Sequence, residues 1–376
     1  MEILNKIQVP FYDLSVQHAM LRQELDAAYS RIIGKGQFIL GQELQDFEAS
    51  FASYCGSSHG IGVANGLDAL RLALQALGIG AGCEVIVPAH TFVATWLAVT
   101  AAGATPIACE PAAGGFNIDR QMAEPLITPR TRAILPVHLY GIPAPADELA
   151  SLCNERKLTM IEDAAQAHGA RIGQAACGSI GKAGCFSFYP SKNLGALGDG
   201  GAIVTSDIDL AARIRQLRNY GSAEKYKIEE QGCNSRLDEI QAAFLHVKLS
   251  SLERSNQDRR RIAAAYVANL SDVDQLRLPE VTAGQTPVWH LFVIRTQQRD
   301  ALREHLACHG IETGVHYPVP VYRMPPFAAY GPDRETETDR ISREIVSLPM
   351  WPYMPDSMVM QVCRAIRSFF GVTHRS

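Results

Sequence analysis

Short apolar runs alternate with segments of helical periodicity over most of the first 245 residues. In the helical segment over 63–78 the leucines recur every three or four residues, at positions 67, 70, 74 and 77, which is the spacing of one helix face. Strands that alternate with helices predict a largely parallel sheet with helices on both faces. The predicted strands are residues 60–63, 84–88, 105–109, 133–137, 158–162, 184–188 and 202–205.

The second part of the chain has a different pattern. Residues 237–270 are helical in periodicity, and we predict a solvated face for the cluster from Arg259 to Arg261. A strand over 289–295, a helix near 299–309 and a Pro/Tyr-rich loop over 317–332 follow. Because 376 residues exceed a usual single core, we predict a large domain over 1–245 with an N-terminal arm, and a smaller α+β domain over 246–376.

Composition narrows the class of protein. Apolar residues make up 47% of the chain and charged residues 20%, as in ordinary globular proteins. A net charge of −4 gives no reason to expect nucleic acid as a partner. The nine cysteines contain no CxxC pair, and no secretory signal precedes them. We therefore expect reduced thiols, no bound metal and a cytoplasmic protein.

One stretch has the length of a membrane span. Residues 85–109 contain no Asp, Glu, Lys or Arg. Prolines and a glycine divide the stretch into two short strand-like runs around a small helix. Such a pattern favours a covered parallel sheet, so we expect no membrane partner.

The run CFSFYPSKNLGALGDGG, residues 185–201, is the strongest candidate for chemistry. A short aromatic strand leads into a glycine-rich loop that contains Lys192. Glycines let the backbone approach a ligand, and a partly desolvated lysine loses basicity and can act as an amine nucleophile. This is what a Schiff base with a carbonyl cofactor requires.

Two further stretches could complete such a site. The strand over 158–162 breaks into small residues directly after Glu162 and Asp163, and a carboxylate at the end of a parallel strand can pair with the ring nitrogen of pyridoxal phosphate. Upstream, Gly66 and Leu67 begin a helix whose free N–H groups could bind a phosphate. Taken singly, Asp163 could equally be a helix cap, and many helices begin in this way without binding anything.

Together these stretches resemble the DegT/StrS family of nucleotide-sugar aminotransferases, which are fold-type I enzymes that use pyridoxal phosphate. The resemblance covers almost the whole chain. It includes FYDLSVQ (11–17), FILGQEL (38–44), PAHTF (88–92), PVHLYG (136–141), NSRLDEIQAA (234–243) and HYPVP (316–320). It implies an α/β fold of the fold-type I class, with the last strand of the large sheet antiparallel.

The resemblance also implies roles for individual residues around the cofactor. Lys192 would carry the cofactor and shuttle a proton, Asp163 would hold the ring nitrogen protonated, and Gln166 would bind the phenolic oxygen. Phe92 would stack on the ring, although on sequence grounds it could equally be a core residue. The N–H groups of Gly66 and Leu67 and the Ser187 hydroxyl would bind the phosphate.

Asn234 would contact the same phosphate from the other subunit of a homodimer with shared active sites. Without the resemblance, Asn234 would be interpreted as a helix cap.

The reaction implied transfers an amino group from L-glutamate, through pyridoxamine phosphate, to a dTDP-linked keto sugar. The HTF, EKY and NSRLDE motifs look most like the branch that aminates C3 of a 3-keto-6-deoxyhexose, and the C4-aminating, perosamine-type branch stays open. Candidates for the substrate end are Lys225, Tyr226, His316 and Tyr317. A fold-type I lyase or a cofactor-dependent regulatory protein are the alternatives of other classes.

Overall fold

The computed structural model describes residues 8–224 and 226–372. The helices are α1 (Ser15–Met20), α2 (Arg22–Lys35), α3 (Gln42–Cys55), α4 (Gly66–Ala76), α5 (Val93–Ala101), α6 (Arg120–Ala123), α7 (Ala146–Arg156), α8 (Ile208–Leu217), α9 (Glu239–Leu249), α10 (Leu252–Leu270), α11 (Arg299–Cys308), α12 (Glu337–Glu344) and α13 (Asp356–Phe369). Short 3-10 helices cover Glu124–Leu126, Leu139–Gly141, Val321–Arg323 and Pro325–Tyr330.

The strands form one large sheet and several small ones. They are β1 (His59–Val63), β2 (Glu84–Pro88), β3 (Thr105–Cys109), β4 (Thr131–Ile134), β5 (Thr159–Asp163), β6 (Arg171–Ile172), β7 (Ala175–Ala176), β8 (Ala183–Ser187), β9 (Gly201–Thr205), β10 (Ser222–Glu224), β11 (Lys227–Ile228), β12 (Gln285–Thr286), β13 (Phe292–Arg295) and β14 (Ile345–Leu348).

The large sheet has seven strands in the order β1-β9-β8-β5-β4-β2-β3. Its strands pair in parallel except for β9, which runs antiparallel to both β1 and β8. The predicted alternation of strands and helices and the antiparallel last strand are therefore confirmed. The main shift is in β4, which begins at Thr131 and ends at Ile134, whereas the apolar pattern placed it over 133–137.

Helices cover both faces of this sheet. On one face, apolar residues of α4, α5 and α8 pack against the strands, with Leu70, Trp96 and Ile214 buried among them. On the other face, α3, α7 and α9 supply side chains such as Phe47 and Leu152. Since both faces are covered, most residues of the strands are buried. The charge-free residues 85–109 form β2, α5 and β3 as expected, and no helix within 8–224 or 226–372 has the length and apolarity that crossing a membrane requires.

The second part of the chain builds its own apolar cluster from α10, α11, α13, β13 and β14. The division at residue 245 stays a prediction, and helix α9 runs through it from Glu239 to Leu249. The strand predicted over 289–295 is shorter than expected, because Trp289 has a positive φ of 45° and the pairing with β14 begins at Phe292. The loop over 317–332 is partly ordered as two 3-10 helices that pack on Trp96.

The prediction of a solvated cluster at residues 259–261 is wrong for Arg259. Its side chain is fully buried, and its Nη1 donates to the carbonyl oxygens of Trp289 and His290 at 3.0 and 3.2 Å. The guanidinium also donates to the Tyr12 hydroxyl. Helical periodicity alone places this arginine at the surface, because it carries no information about the distant backbone carbonyls that bind the guanidinium.

Candidate active site

The candidate site lies beyond the carboxyl ends of β5 and β8, where Asp163 and Ser187 are the last strand residues. The chain after β8 folds back tightly. The Lys192 N–H donates to the Tyr189 carbonyl, and the Ala196 N–H donates to the Phe188 carbonyl, both at 2.8 Å. The side chain of Lys192 is consequently held at the end of the sheet where a ligand of an open α/β fold binds.

The environment of the Lys192 amine lowers its basicity. Burial lowers the pKa of Lys192 to about 8, and the negative charge of Asp163 opposes that shift. The neighbouring imidazoles do not compete for protons, since burial lowers the pKa of His168 to about 3 and that of His316 to about 4. In both rings the positive charge of Lys192 adds to the shift. An amine with this pKa can serve as nucleophile and as proton acceptor near neutral pH.

Asp163 is buried and held by two donors. The Thr95 hydroxyl donates to Oδ2 at 2.9 Å, and the Ala165 N–H donates to Oδ1 at 3.2 Å. Burial raises the pKa of Asp163, while these two hydrogen bonds and the charge of Lys192 lower it. The hydrogen bond to Ala165 is the local cap that a lone strand-end Asp would make, and the bond from Thr95 in α5 fixes the carboxylate toward the site.

The adjacent Glu162 points to the opposite side of β5 and has a structural role. Its carboxylate accepts hydrogen bonds from the N–H groups of Gly178, Ile180 and Gly181, each at 2.7 Å. It also accepts from His138 Nε2 at 2.9 Å. The Ala144 N–H donates to His138 Nδ1, so the imidazole carries its proton on Nε2. The alternation of side chains along a strand thus separates a structural carboxylate from one that faces the site.

The start of α4, where the phosphate cradle is predicted, has free N–H groups within the part of the chain described. Asn65 caps the helix by accepting from the Asp68 N–H at 2.8 Å, and the N–H groups of Gly66 and Leu67 have no hydrogen-bond partner among the residues described. A Cβ at Gly66 would lie 2.7 Å from Cβ of Ser187, so the helix can approach β8 this closely only with glycine. The Ser187 hydroxyl faces the same place and accepts from the Tyr189 N–H at 3.3 Å.

Gln166 and two tyrosines form the wall beside Asp163. The Gln166 amide accepts from the Tyr140 N–H at 2.6 Å and donates to the Tyr317 hydroxyl at 3.0 Å. The ring of Tyr317 lies 5.3 Å from that of Phe92. Phe92 is 51% exposed, which excludes the alternative that it is a core residue. The predicted Gln166, Phe92 and Tyr317 are thus brought together in space.

The remaining predicted residues divide into two groups. His316 reaches the site region from the second part of the chain, and its Nδ1 is 2.8 Å from the Ser347 hydroxyl. Tyr226 is 90% exposed at the turn between β10 and β11, and Asn234 is exposed beside a bridge to Asn219, so neither lines an enclosed site within one chain. Lys225 lies outside the described residues.

Sequence reasoning missed three residues that help to build the site. Thr95 binds the Asp163 carboxylate, and the Tyr140 hydroxyl donates to the His316 carbonyl. Tyr189 is 57% exposed directly beside the Lys192 loop. Thr95 follows the PAHTF motif by three residues and Tyr140 lies within PVHLYG, so both were near a signal, while only the fold shows what their hydroxyls contact.

These residues fit pyridoxal phosphate. They include an amine of depressed basicity, a buried carboxylate near it, an exposed aromatic ring and a helix N-terminus that a Cβ at Gly66 would distort. A helix N-terminus with free N–H groups binds phosphate. An aromatic face can cover a flat ring.

Fold and site together define an aminotransferase of the fold-type I class. The chain belongs to the DegT/DnrJ/EryC1/StrS aminotransferase family, whose sequence profile matches residues 19–367. It is 48% identical, over 96% of both chains, to a dTDP-3-amino-3,4,6-trideoxy-alpha-D-glucose transaminase of Streptomyces venezuelae. It is 46% identical to a dTDP-3-amino-3,6-dideoxy-alpha-D-galactopyranose transaminase of Aneurinibacillus thermoaerophilus, over 96% of this chain and 99% of that one.

A solved structure supports the same assignment. The fold superimposes with a TM-score of 0.95 on the crystal structure of Streptomyces venezuelae DesV in complex with a ketimine intermediate. That comparison covers 97% of this chain and 99% of the other, at 48% identity. The expected family and fold class are therefore confirmed.

Proposed function

We propose that the protein transfers the amino group of L-glutamate to the C3 keto group of a dTDP-linked 3-keto-6-deoxyhexose, giving a dTDP-3-amino-3,6-dideoxyhexose. The observation that carries this proposal is the Lys192 amine, with its pKa lowered to about 8 by burial, near the buried Asp163. The choice of sugar is supported by the two relatives of almost equal length, both of which are transaminases of dTDP-3-amino sugars.

The side chains have distinct tasks in this reaction. Pyridoxal phosphate, when bound, supplies the electron sink that makes the carbon bearing the amino group acidic. Lys192 Nζ would accept the proton from that carbon and return it at the other end of the transfer, since a pKa of about 8 leaves part of this amine unprotonated near neutral pH. Asp163, held by Thr95, would pair as a carboxylate with the ring nitrogen and keep it protonated. The start of α4 and Ser187 bind the phosphate.

His316 and Tyr317 are assigned to the sugar end of the site. His316 stays neutral, since burial lowers its pKa to about 4, and its ring stacks on Phe11 at 5.6 Å. A neutral ring and a tyrosine hydroxyl suit an uncharged sugar, while Lys225 and Tyr226 supply a cation and a hydroxyl for the diphosphate. Tyr226 is 90% exposed at the turn between β10 and β11, a location that favours contact with the partner subunit's site.

A homodimer with shared active sites is part of the proposal. Asn234 is exposed and Tyr226 is 90% exposed, while Phe92 and Tyr189 leave the Lys192 site open on one side. A second subunit placed over that side would bring its Asn234 toward the phosphate. The cytoplasm, as the expected location, also belongs to this proposal, and six of the nine cysteines are buried as expected for thiols that stay reduced.

The test begins with the visible spectrum of the purified protein before and after addition of L-glutamate, with Lys192→Ala as the matched control. We expect glutamate to abolish the absorption band of the bound cofactor in the wild type, and we expect no comparable turnover in the variant. Wild-type protein is then incubated with glutamate and either a dTDP-3-keto or a dTDP-4-keto sugar, and the new amine is located by NMR. Amination at C4 alone would overturn the C3 assignment and favour the perosamine-type reaction.

A further inference from the structure

A second lysine is buried close to the candidate site. Lys248 in α9 is only 2% exposed, and no Asp or Glu of the described residues forms a salt bridge with it. Its Nζ donates to the Gly195 carbonyl at 2.7 Å and lies 3.0 Å from His18 Nε2 in α1. Burial lowers the pKa of Lys248 to about 8. Burying an amine without a carboxylate opposes folding, so this residue requires a reason other than stability.

The carbonyl that Lys248 binds belongs to the loop that carries Lys192. Gly195 follows Lys192 by three residues, and a Cβ at this position would lie 2.2 Å from the Pro190 carbonyl oxygen. The loop therefore closes tightly at Gly195, and the Gly195 carbonyl points toward α9. The loop contacts one face of α9, since Gln241 of the same helix accepts from the Leu197 N–H at 2.8 Å.

His18 completes the arrangement from the N-terminal helix. Burial and the positive charge of Lys248 both lower the pKa of His18. The ring stays neutral at neutral pH, so its Nε2 can accept a hydrogen bond from the ammonium group. Lys248 thus joins three segments that are far apart in sequence, namely α1, α9 and the loop after β8.

We propose that Lys248 is a positioning residue for catalysis: it fixes the Gly195 backbone and thereby holds the Lys192 amine in its reactive place. This inference rests on the proposed function in one respect, that Lys192 is the reacting amine. A displacement of about 1 Å in a reacting group can cost on the order of a hundredfold in rate, so loss of this tether affects kcat more than substrate binding.

The decisive variant is Lys248→Met, which keeps the shape of the side chain and removes its donors. We expect its urea unfolding midpoint to stay close to the wild-type value, because the unpaired buried charge is removed together with the hydrogen bond. Amide hydrogen exchange in peptides covering 193–198 should accelerate in the cofactor-free protein, while exchange in α4 and β5 stays unchanged. A merely structural lysine would give the opposite result, lower global stability without a local effect on this loop.

Kinetics of the glutamate half-reaction supply the second measurement. We expect kcat to fall on the order of tenfold to a hundredfold with little change in KM, and borohydride reduction to fix less cofactor on Lys192. The matched control is Ser255→Ala, which removes a buried hydroxyl that binds Gln17 of α1 at 3.4 Å without contacting the loop. This control should match the wild type in loop exchange and in rate.

If Lys248→Met does not fold, Lys248→Gln replaces it. Its amide keeps a donor, but the side chain is one bond shorter and cannot reach the Gly195 carbonyl, so the same local acceleration of exchange is expected. Unchanged exchange at 193–198 in a folded variant overturns the inference. If the wild-type protein fails to react with glutamate, only the proposed function is refuted. The exchange measurement in cofactor-free protein tests the role of Lys248 without requiring that reaction.

Discussion

At the scale of single residues, the pKa of Lys192 makes the first prediction. Its ammonium form must lose a proton before it can attack a carbonyl, and burial lowers its pKa to about 8. In cofactor-free protein, the rate of pyridoxal phosphate attachment should therefore rise about tenfold per pH unit below 8 and level off above it. Stopped-flow absorbance between pH 6 and 9.5 measures this profile.

Asp163→Asn provides the control for that profile. The negative charge of Asp163 raises the pKa of Lys192, so its removal should move the rise in rate to lower pH. A profile without an inflection between pH 7 and 9 would show that the Lys192 amine does not have the depressed basicity that its burial indicates.

The adjacent carboxylates Glu162 and Asp163 should respond in opposite ways to the same chemical change. Each oxygen of Glu162 accepts two hydrogen bonds, so an amide in its place puts an NH₂ group against N–H donors. We expect Glu162→Gln to lower the free energy of unfolding by about 3 kcal/mol.

Asp163→Asn should leave stability nearly unchanged and abolish the glutamate half-reaction, because only the ionised carboxylate keeps the cofactor's ring nitrogen protonated. Urea unfolding and the visible spectrum, measured on both variants, separate the two effects. Equal losses of stability in the two variants would contradict the separation of roles along β5.

The contrast between these two residues shows how far sequence reasoning reaches. A pair of acids at the end of a predicted strand indicated the position of the candidate site. Which of them faces the ligand depends on which face of the sheet each side chain occupies and on the loop over 178–181, whose N–H groups converge on Glu162. A pattern of apolar residues carries no information about that loop. For the same reason it could not predict the distant carbonyl groups that bind the buried Arg259.

At the scale of elements, the contact between α4 and β8 makes the third prediction. Gly66→Ala would place a Cβ 2.7 Å from Cβ of Ser187, so the helix start must move away from the strand. Overpacking of this kind costs about 1–3 kcal/mol, and here it acts on the phosphate cradle. We expect the affinity for pyridoxal phosphate to fall by about tenfold or more, measured by fluorescence titration of cofactor-free protein.

Gly34→Ala is the matched control for that change. Gly34 lies in α2 with no atom within 4 Å of a Cβ built there. Alanine should stabilise this helix by about 0.5–1 kcal/mol and leave cofactor binding unchanged. An equal loss of affinity in both variants would argue against a specific cradle at Gly66.

Elements were predictable where local pattern and long-range packing agree. The strands β2 and β3 have the predicted bounds, since each is a continuous apolar run between turn residues. The predicted elements differ from the observed ones where tertiary contacts determine the backbone conformation. The left-handed Trp289 shortens β13, and Trp96 orders the loop over 317–332 into 3-10 turns that its prolines and tyrosines did not indicate.

At the scale of the whole molecule, one chain holds the reactive groups but leaves the site open. Phe92 and Tyr189 are 51% and 57% exposed beside Lys192, although aromatic rings of this size are usually covered. Tyr226 and Asn234 are also exposed. A site completed by a second subunit would leave these side chains exposed in a single chain. From the sequence, a shared site is predicted only through the resemblance to a family.

Complementation between two inactive chains tests the shared site. Lys192→Ala and Asn234→Ala subunits, dissociated, mixed in equal amounts and reassembled, should form mixed dimers as half of the population. If Asn234 acts across the interface, each mixed dimer has one site with both residues intact, so roughly a quarter of the wild-type activity returns. Mixing Lys192→Ala with the double variant restores no site and is the control. If Asn234 served its own chain, no combination would unite it with Lys192, and activity that stays at the level of the separate variants would refute the composite site.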